Sequence, residues 1–314
     1  MKRAYVGIGV LLVIAATCVA WIGHRPDSAS AGSTDGPAPD SRAEVAKAWS
    51  DCPGESGASP QRGSGSGSSG DSHDPGYGDL TMRFVYDGKA PPRKPLPITK
   101  DIGFCTPHKP LSEELVVDPD TNGIANVFVY LYVGLGEPPP EPHSSYAVSA
   151  KAEVLLDNTG CRFEPHACIL YVGQTLVVRN SDDVGHNVKA DFLENVPFNE
   201  TMPATAMFVR EHLTEPERLP AYVTCSIHPW MSARLLVTNT PYAAVSARDG
   251  NVTIKNLPVG KWRFQVWHET AGYVGEVSVG GKPEEWRRGR FERTIEFGSN
   301  EMGVIRLKPD LFSK

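Results

Sequence analysis

Cys225, His228 and Met231 stand three residues apart in the stretch Cys225-Ser226-Ile227-His228-Pro229-Trp230-Met231. A second imidazole, His186, lies upstream in Asp183-Val184-Gly185-His186-Asn187-Val188. Two imidazoles, a thiolate and a thioether form the donor set of copper sites that carry single electrons: soft sulfur suits Cu(I), and imidazole suits both oxidation states. Donors held in one shape reorganise little when an electron arrives. Zinc competes for Cys and His, but a thioether is a poor zinc ligand, which favours copper.

The flanking residues must bring these donors together. Residues 221–225 read as the end of a β-strand and residues 232–237 as the start of another, so a short loop turns three donors toward one point. His186 follows the strand-like run 174–180 and sits just past its end. A β-sandwich gathers such loops at one pole, which lets the Cys225 loop meet His186.

The stretch resembles the cupredoxins, and among them the amicyanin type with its short Cys-x-x-His-x-x-Met loop and a Pro after the His, here Pro229. Upstream, Phe163-Glu164-Pro165, Val172-Gly173-Gln174-Thr175, Asn180 and His186-Asn187-Val188 follow in the order of that family. The resemblance implies a Greek-key β-sandwich holding one type 1 copper, with His186, Cys225 and His228 in a trigonal plane and Met231 as the long axial ligand. It also implies a role for Asn187 in tying the two ligand loops by hydrogen bonds. Pro229 offers no N–H near the thiolate; it either removes a donor there or stiffens the loop. Trp230 reads either as part of an apolar docking rim, with the His228 edge as the electron port, or as a core residue.

The rest of the chain sets the context. Its 314 residues suggest about two domains. A net charge of −6 gives no basic footprint for nucleic acid. With 30 Gly and 27 Pro, long loops or a linker are expected. Residues 1–24 carry Lys2 and Arg3 and then an uncharged run from Ala4 to Gly23. That run is long enough to span a bilayer and also fits a secretory signal with a small-residue site at Cys18-Val19-Ala20; either way the remainder is exported. Residues 25–77 form a linker with the Gly/Ser run 62–70, which builds no core. Cys52 lies within it, without the Cys-x-x-Cys-His pattern of haem attachment.

From Gly78 onward the sequence reads as all-β. Residues 80–86 alternate and meet Asp87-Gly88, a hairpin-turn signal. Residues 124–133 are the strongest β-run, and no segment beyond the N-terminal one shows a 3.6-residue period. Further strands are expected at 152–156, 167–172 and 174–180. In an exported chain Cys105, in a loop, and Cys161 are a candidate disulfide, although spacing alone does not fix the connectivity. Cys168 reads as a small apolar filler, and Cys225 stays unpaired as a ligand.

Residues 239–314 change character. Asp249-Gly250-Asn251-Val252-Thr253-Ile254-Lys255-Asn256-Leu257-Pro258-Val259-Gly260 resembles the signature of the carboxypeptidase-regulatory, transthyretin-like β-sandwich. Residues 78–133 are similar to the first half of that module. The expected division is therefore 78–146 and 239–314 as two halves of one sandwich, with the cupredoxin at 147–238 inserted between them. The pattern as a whole, including Thr240-Pro241-Tyr242-Ala243 and Trp267-His268-Glu269, is similar to bacterial methylamine-utilisation-like proteins.

These readings lead to an expected function. The chain is an exported, extracytoplasmic electron carrier of a bacterium, tethered to the membrane through its N-terminal segment. It cycles one copper between Cu(I) and Cu(II) with other redox proteins, such as a cytochrome or a dehydrogenase, as donor and acceptor. The alternative is a non-redox cell-surface binding or copper-handling module of the same shape. A copper enzyme needs a second, solvent-open copper; the chain has nine His and no His-x-His pair, so no enzyme is expected. His166 and the pair His268 and Glu269 are secondary candidates for metal or docking roles, more ordinary as surface or structural residues.

Overall fold

The computed structural model of the protein describes residues 76–210 and 213–313. The expected anchor or signal at 1–24, Cys52 and the linker up to residue 75 lie outside them. Tyr77 already belongs to a strand, so the ordered β-structure begins just inside the expected linker boundary. Among the described residues no helix is long and apolar enough to cross a membrane.

The described residues are nearly all β and build two sandwiches. The first part supplies β1 (Tyr77–Tyr86), the short helix α1 (Ile102–His108) and β2 (Phe128–Leu131). The middle supplies β3 (Glu153–Thr159), β4 (Arg162–Glu164), β5 (Ala167–Tyr171) and β6 (Thr175–Asn180). It continues with β7 (His186–Asp191), β8 (Phe198–Met202), β9 (Met207–Arg210), β10 (Ala221–Thr224) and β11 (Ser232–Thr238). The last part holds β12 (Ala243–Val245), β13 (Asn251–Pro258), β14 (Gly260–His268) and β15 (Gly272–Tyr273). It ends with β16 (Glu276–Val279), β17 (Lys282–Glu285), β18 (Arg290–Ile295) and β19 (Gly298–Leu307).

One sandwich pairs the sheet β13-β1-β19-β16-β17 with the sheet β12-β2-β14-β15, to which β18 adds along β14. Leu80, Phe84, Val129, Phe264 and Trp286 fill the space between them. The other pairs β5-β11-β10-β7-β8 with β4-β3-β6-β9. Its core holds Leu156, Leu176, Val188, Val223 and Leu235, together with Cys225 and Met231. Each such side chain, fully buried, is worth about 1.5–3 kcal/mol of transfer free energy.

A third cluster joins the two sandwiches: Phe128 and Tyr130 from β2, Trp267 from β14, Ala167 from β5 and Leu236 from β11. Strand alternation explains it. Val129 and Leu131 face the first core while Phe128 and Tyr130 face the second sandwich, so all four residues of β2 are buried. A strand buried on both faces reads as an unbroken apolar run, which accounts for the strength of that signal. Arg234 crosses the same boundary. Its guanidinium lies 4.0 Å from the Tyr222 ring centroid and 5.6 Å from that of Trp267, and donates to Glu269 Oε1 at 3.1 Å.

Three local expectations give way. Asp87-Gly88 does not turn a hairpin: β1 pairs antiparallel with β13 and parallel with β19, so both of its edges are taken by strands far along the chain. The run 124–133 forms a strand only over β2, since Asn126 takes a left-handed φ of 62° and breaks the extension. Cys105 sits in α1, a helix too short to leave a period in the sequence. The Asp249-Gly250 turn does form, with Gly250 at φ 86°; a β-carbon there would lie 2.1 Å from Phe84 O, so only glycine fits.

Candidate metal centre

β10 and β11 are antiparallel neighbours, and the loop between them carries Cys225 to Met231. The loop closes on itself: Met231 N donates to His228 O at 2.9 Å and Cys225 N to Met231 O at 3.3 Å. β7 lies on the other side of β10 and starts at His186, so neighbouring strands deliver His186 and the Cys225 loop to one end of the sheet. The turn before His186 is held by Asn180, fully buried, whose Nδ2 donates to Val184 O at 2.8 Å and Pro203 O at 2.9 Å.

Three donor atoms converge there. His186, Cys225 and His228 each present one within 4.8 Å of the others. His186 Nδ1 and His228 Nδ1 are 2.9 Å apart, and Cys225 Sγ lies 3.8 Å from His228 Nδ1. Both imidazoles are completely buried and Cys225 is 2% exposed. Met231, 1% exposed, belongs to the same core.

Each imidazole turns its other nitrogen to a carboxylate. His186 Nε2 lies 2.9 Å from Asp182 Oδ2, and His228 Nε2 lies 2.7 Å from Asp101 Oδ2. A carboxylate only accepts, so each Nε2 carries an N–H, and the two Nδ1 atoms face the centre. This is the arrangement that orients metal-ligating histidines. Two N–H groups, of Asn187 at 3.2 Å and His228 at 3.3 Å, donate to Cys225 Sγ. Asn187 Oδ1 accepts from Ser226 N at 3.1 Å, and its Nδ2 donates to Asn199 Oδ1 at 2.6 Å and Glu200 O at 3.1 Å. One amide thus joins the His186 strand, the Cys225 loop and β8.

The electrostatics favour a cation. Burial pushes the Cys225 thiol up, but hydrogen bonds from His186 and the Asn187, His228 and Ile227 amides outweigh it and hold it below the ordinary thiol range. Burial pushes His186 down, yet Asp182 and Cys225 raise it to about 8. His228 stays below its ordinary value because burial and the His186 charge outweigh Asp101. Asp182 is pushed up by burial and brought below the usual carboxylate range by His186, Cys161 and Gly160.

The donor set fits a soft transition metal. A metal about 2.0–2.3 Å from two imidazole nitrogens and a thiolate sets those donors roughly 3–4 Å apart, and the separations above lie in or close to that range.

The other sequence candidates take different roles. Trp230 is 8% exposed; its Nε1 donates to Cys161 O at 3.1 Å and its ring packs 5.0 Å from that of His228. It is a wall of the site, so the rim reading and the exposed His228 edge both fall away. Pro229 sits between His228 and Trp230 in the loop; the two amides on Sγ come from other residues. His166 is bound to Glu269 Oε2 at 2.5 Å and takes no part in the cluster. His268 is buried under Phe312, ring centroids 5.3 Å apart. Cys105 and Cys161 form a disulfide. Asp101 and Asp182 carry no sequence motif that marks them, although Asp182 sits four residues before His186.

No protein-family model and no curated protein matches this sequence. Solved structures that it is similar to include a Cu-containing nitrite reductase of Thermus scotoductus SA-01, at 22% identity over 35% of this chain and 25% of that one, with a TM-score of 0.25. The chain therefore spans about a quarter of that reductase's length. A purple cupredoxin of Nitrosopumilus maritimus aligns at 23% identity over 28% of this chain and all of that one, TM-score 0.23. A reduced Cu(I) amicyanin variant aligns at 23% identity over 32% of this chain and 95% of that one, TM-score 0.25.

Proposed function

We propose that the protein is a cupredoxin that carries single electrons through one type 1 copper held by His186, Cys225, His228 and Met231. The observation that supports this is the convergence of His186 Nδ1, Cys225 Sγ and His228 Nδ1 in a buried site whose imidazoles are each braced by a carboxylate. Copper held by these residues would supply the one-electron couple, and the Met231 thioether and the hydrogen bonding around the Cys225 sulfur would tune its potential. The Asn187 and His228 amides hold the thiolate, Asp182 and Asp101 fix the rings, and the loop clasp at Met231 keeps three donors in one place.

In this reading the chain is a carrier and no enzyme. It is exported from a bacterial cytoplasm and tethered at the membrane by residues 1–24. It exchanges electrons with redox proteins such as a cytochrome or a dehydrogenase, and the sandwich built by β1, β2 and β12 to β19 is a transthyretin-like module. A second reading, copper handling without electron transfer, is favoured by one observation: neither imidazole reaches the surface.

Loading the full chain with one equivalent of Cu(II) tests the first reading. The expected result is an intense thiolate-to-copper band with narrow parallel hyperfine splitting, bleached by ascorbate, restored on reoxidation and absent in Cys225→Ser. A pale protein with ordinary Cu(II) signals refutes it. Tight copper that cannot be reversibly reduced favours the second.

A further inference from the structure

We propose that Asp101 is a positioning residue of the metal centre and that the Cys105–Cys161 disulfide fixes it there; this rests on the metal-centre reading above. Asp101 comes from the segment between β1 and β2, 127 residues before His228, and yet its Oδ2 lies 2.7 Å from His228 Nε2. It enters α1 with φ 45° and ψ 42°, in the left-handed region. Its carbonyl accepts from Phe104 N at 2.9 Å and Cys105 N at 2.8 Å, so the first turn of the helix sets where Asp101 stands. Cys105 in that turn is bonded to Cys161, with the α-carbons 5.5 Å apart.

Cys161 reaches the other imidazole. Its N–H donates to Asp182 Oδ2 at 2.9 Å, the oxygen that faces His186 Nε2, and Gly160 N donates to Asp182 Oδ1 at 2.7 Å. Cys161 O accepts from Trp230, which packs on the His228 ring. A single covalent link therefore joins the supports of both histidines. The loop around it is closed by Leu96 N to Pro110 O at 3.0 Å and Ser112 N to Lys94 O at 2.8 Å. Leu96, Ile98 and Phe104 pack against the second core. The segment is a cap: it covers the edge of His228 and leaves it no exposed surface, while the Asp101 side chain itself stays 42% exposed. Removing the carboxylate opens the edge of the ring to water and frees it to turn without emptying a core position.

The test compares Asp101→Gly, Asp101→Asn and the double variant Cys105→Ser/Cys161→Ser with the unaltered full chain. Glycine takes the left-handed conformation freely, so Asp101→Gly keeps the cap folded while it deletes the carboxylate. Asparagine keeps an acceptor oxygen and tolerates the same conformation. Outer partners of ligating histidines are worth roughly 10–100-fold in metal affinity, so Asp101→Gly is expected to bind Cu(I) about that much more weakly, in competition with a chromophoric chelator. Its thiolate-to-copper band should also shift, and Asp101→Asn should restore most of both. The double serine variant should move the same way, and it should add little in the Asp101→Gly background.

A readout free of metal separates the two claims. In the copper-free protein the His228 Nε2–H should give a slowly exchanging NMR signal that Asp101→Gly loses and Asp101→Asn keeps. Unchanged copper affinity in Asp101→Gly overturns the proposal, as does a fully additive effect of the disulfide variant. If the unaltered chain takes up no copper, the metal reading has failed. Loss of the Nε2–H signal in Asp101→Gly then still supports the positioning role, and its retention overturns it.

Discussion

Acid should destabilise this protein through His268, which closes β14. The residue is fully buried, its Nδ1 accepts from Thr270 N at 3.2 Å, and its ring packs at 88° to Phe312. Burial pushes its imidazole down from 6.5 to about 4, against the pull of Glu269 and the Ala125 carbonyl, with the nearby His166 pushing the same way as burial. The folded pKa thus lies below the unfolded one, so the unfolded chain binds the proton more readily. The stabilisation is complete above about pH 6.5, falls as pH drops from there toward 4, and changes no further below 4. Two and a half pH units at about 1.36 kcal/mol each give a full loss of about 3 kcal/mol, of which about 2 kcal/mol is gone by pH 5. With a urea slope near 2 kcal/mol/M, the midpoint should fall by about 1 M between pH 7 and pH 5 on this account alone. Urea titrations of the unaltered chain and His268→Gln at pH 7, 6, 5 and 4.5, followed by tryptophan fluorescence, read it directly. His268→Gln should be the less stable protein at pH 7 and should lack this acid loss, so that the two curves approach each other. If both proteins lose the same stability between pH 7 and pH 5, the buried neutral imidazole is not the cause and the reasoning fails.

Three further outcomes follow from single side chains. Asn187→Ala removes the acceptor for Ser226 N and the donor to Asn199 and Glu200; it should cost about 1–3 kcal/mol in urea unfolding and speed copper release to a chelator, and an unaltered release rate counts against the loop tie. Glu217, 5% exposed, accepts from Leu193 N at 3.1 Å, from Glu194 N and Asn195 N at 3.0 Å, and from Asn195 Nδ2 at 3.0 Å. Glu217→Ala strands these donors and should destabilise by about 2–4 kcal/mol, with hydrogen exchange rising first at 193–195; exchange unchanged there refutes it. Met231→Leu should keep copper but shift its potential in direct electrochemistry, since the axial ligand tunes it, and an unmoved potential removes Met231 from the ligand set.

Much of the fold was legible in its apolar and β-branched runs. β1, β3, β5, β6, β10 and β11 all fall within a few residues of the runs that sequence alone marks, and β1 and β10 also alternate between buried and more exposed positions. Cys225 and His228 were legible as well, because one short loop between β10 and β11 carries both, whereas His186 reaches them through the pairing of β7 with β10. What sequence could not show was anything settled by partners far along the chain. The Asp87-Gly88 signal is a sound local turn, yet β1 finds its neighbours in β13 and β19, whose pairing buries Leu80 and Phe84 on a core that no short hairpin supplies. Trp230 carries no mark that distinguishes a docking rim from a wall; its burial follows from the Cys161 carbonyl and the His228 ring, both set by tertiary contact. Asp101 is the extreme case, since no spacing relates residue 101 to residue 228.

The order of the layers carries the last step. Sheet β12-β2-β14-β15 packs on one side into the first core and on the other, through Phe128, Tyr130 and Trp267, against β5 and β11. β11 in turn sends Leu235 and Val237 into the core that holds Cys225 and Met231, and its pairing with β10 sets the loop between them. The strand that positions the donors is thus clamped from both sides, by a sandwich to which it does not belong as well as by its own. The cap that covers His228 comes from that same other stretch of sequence, between β1 and β2. A lone two-sheet sandwich leaves its polar loops to order themselves, whereas here the second sandwich backs the sheet and its connecting segment closes the edge. Asp101 and the sheet packed behind β11, both outside 147–238, thus add to the hold that Asp182, Asn187 and the Cys225 loop exert on the donors from within it.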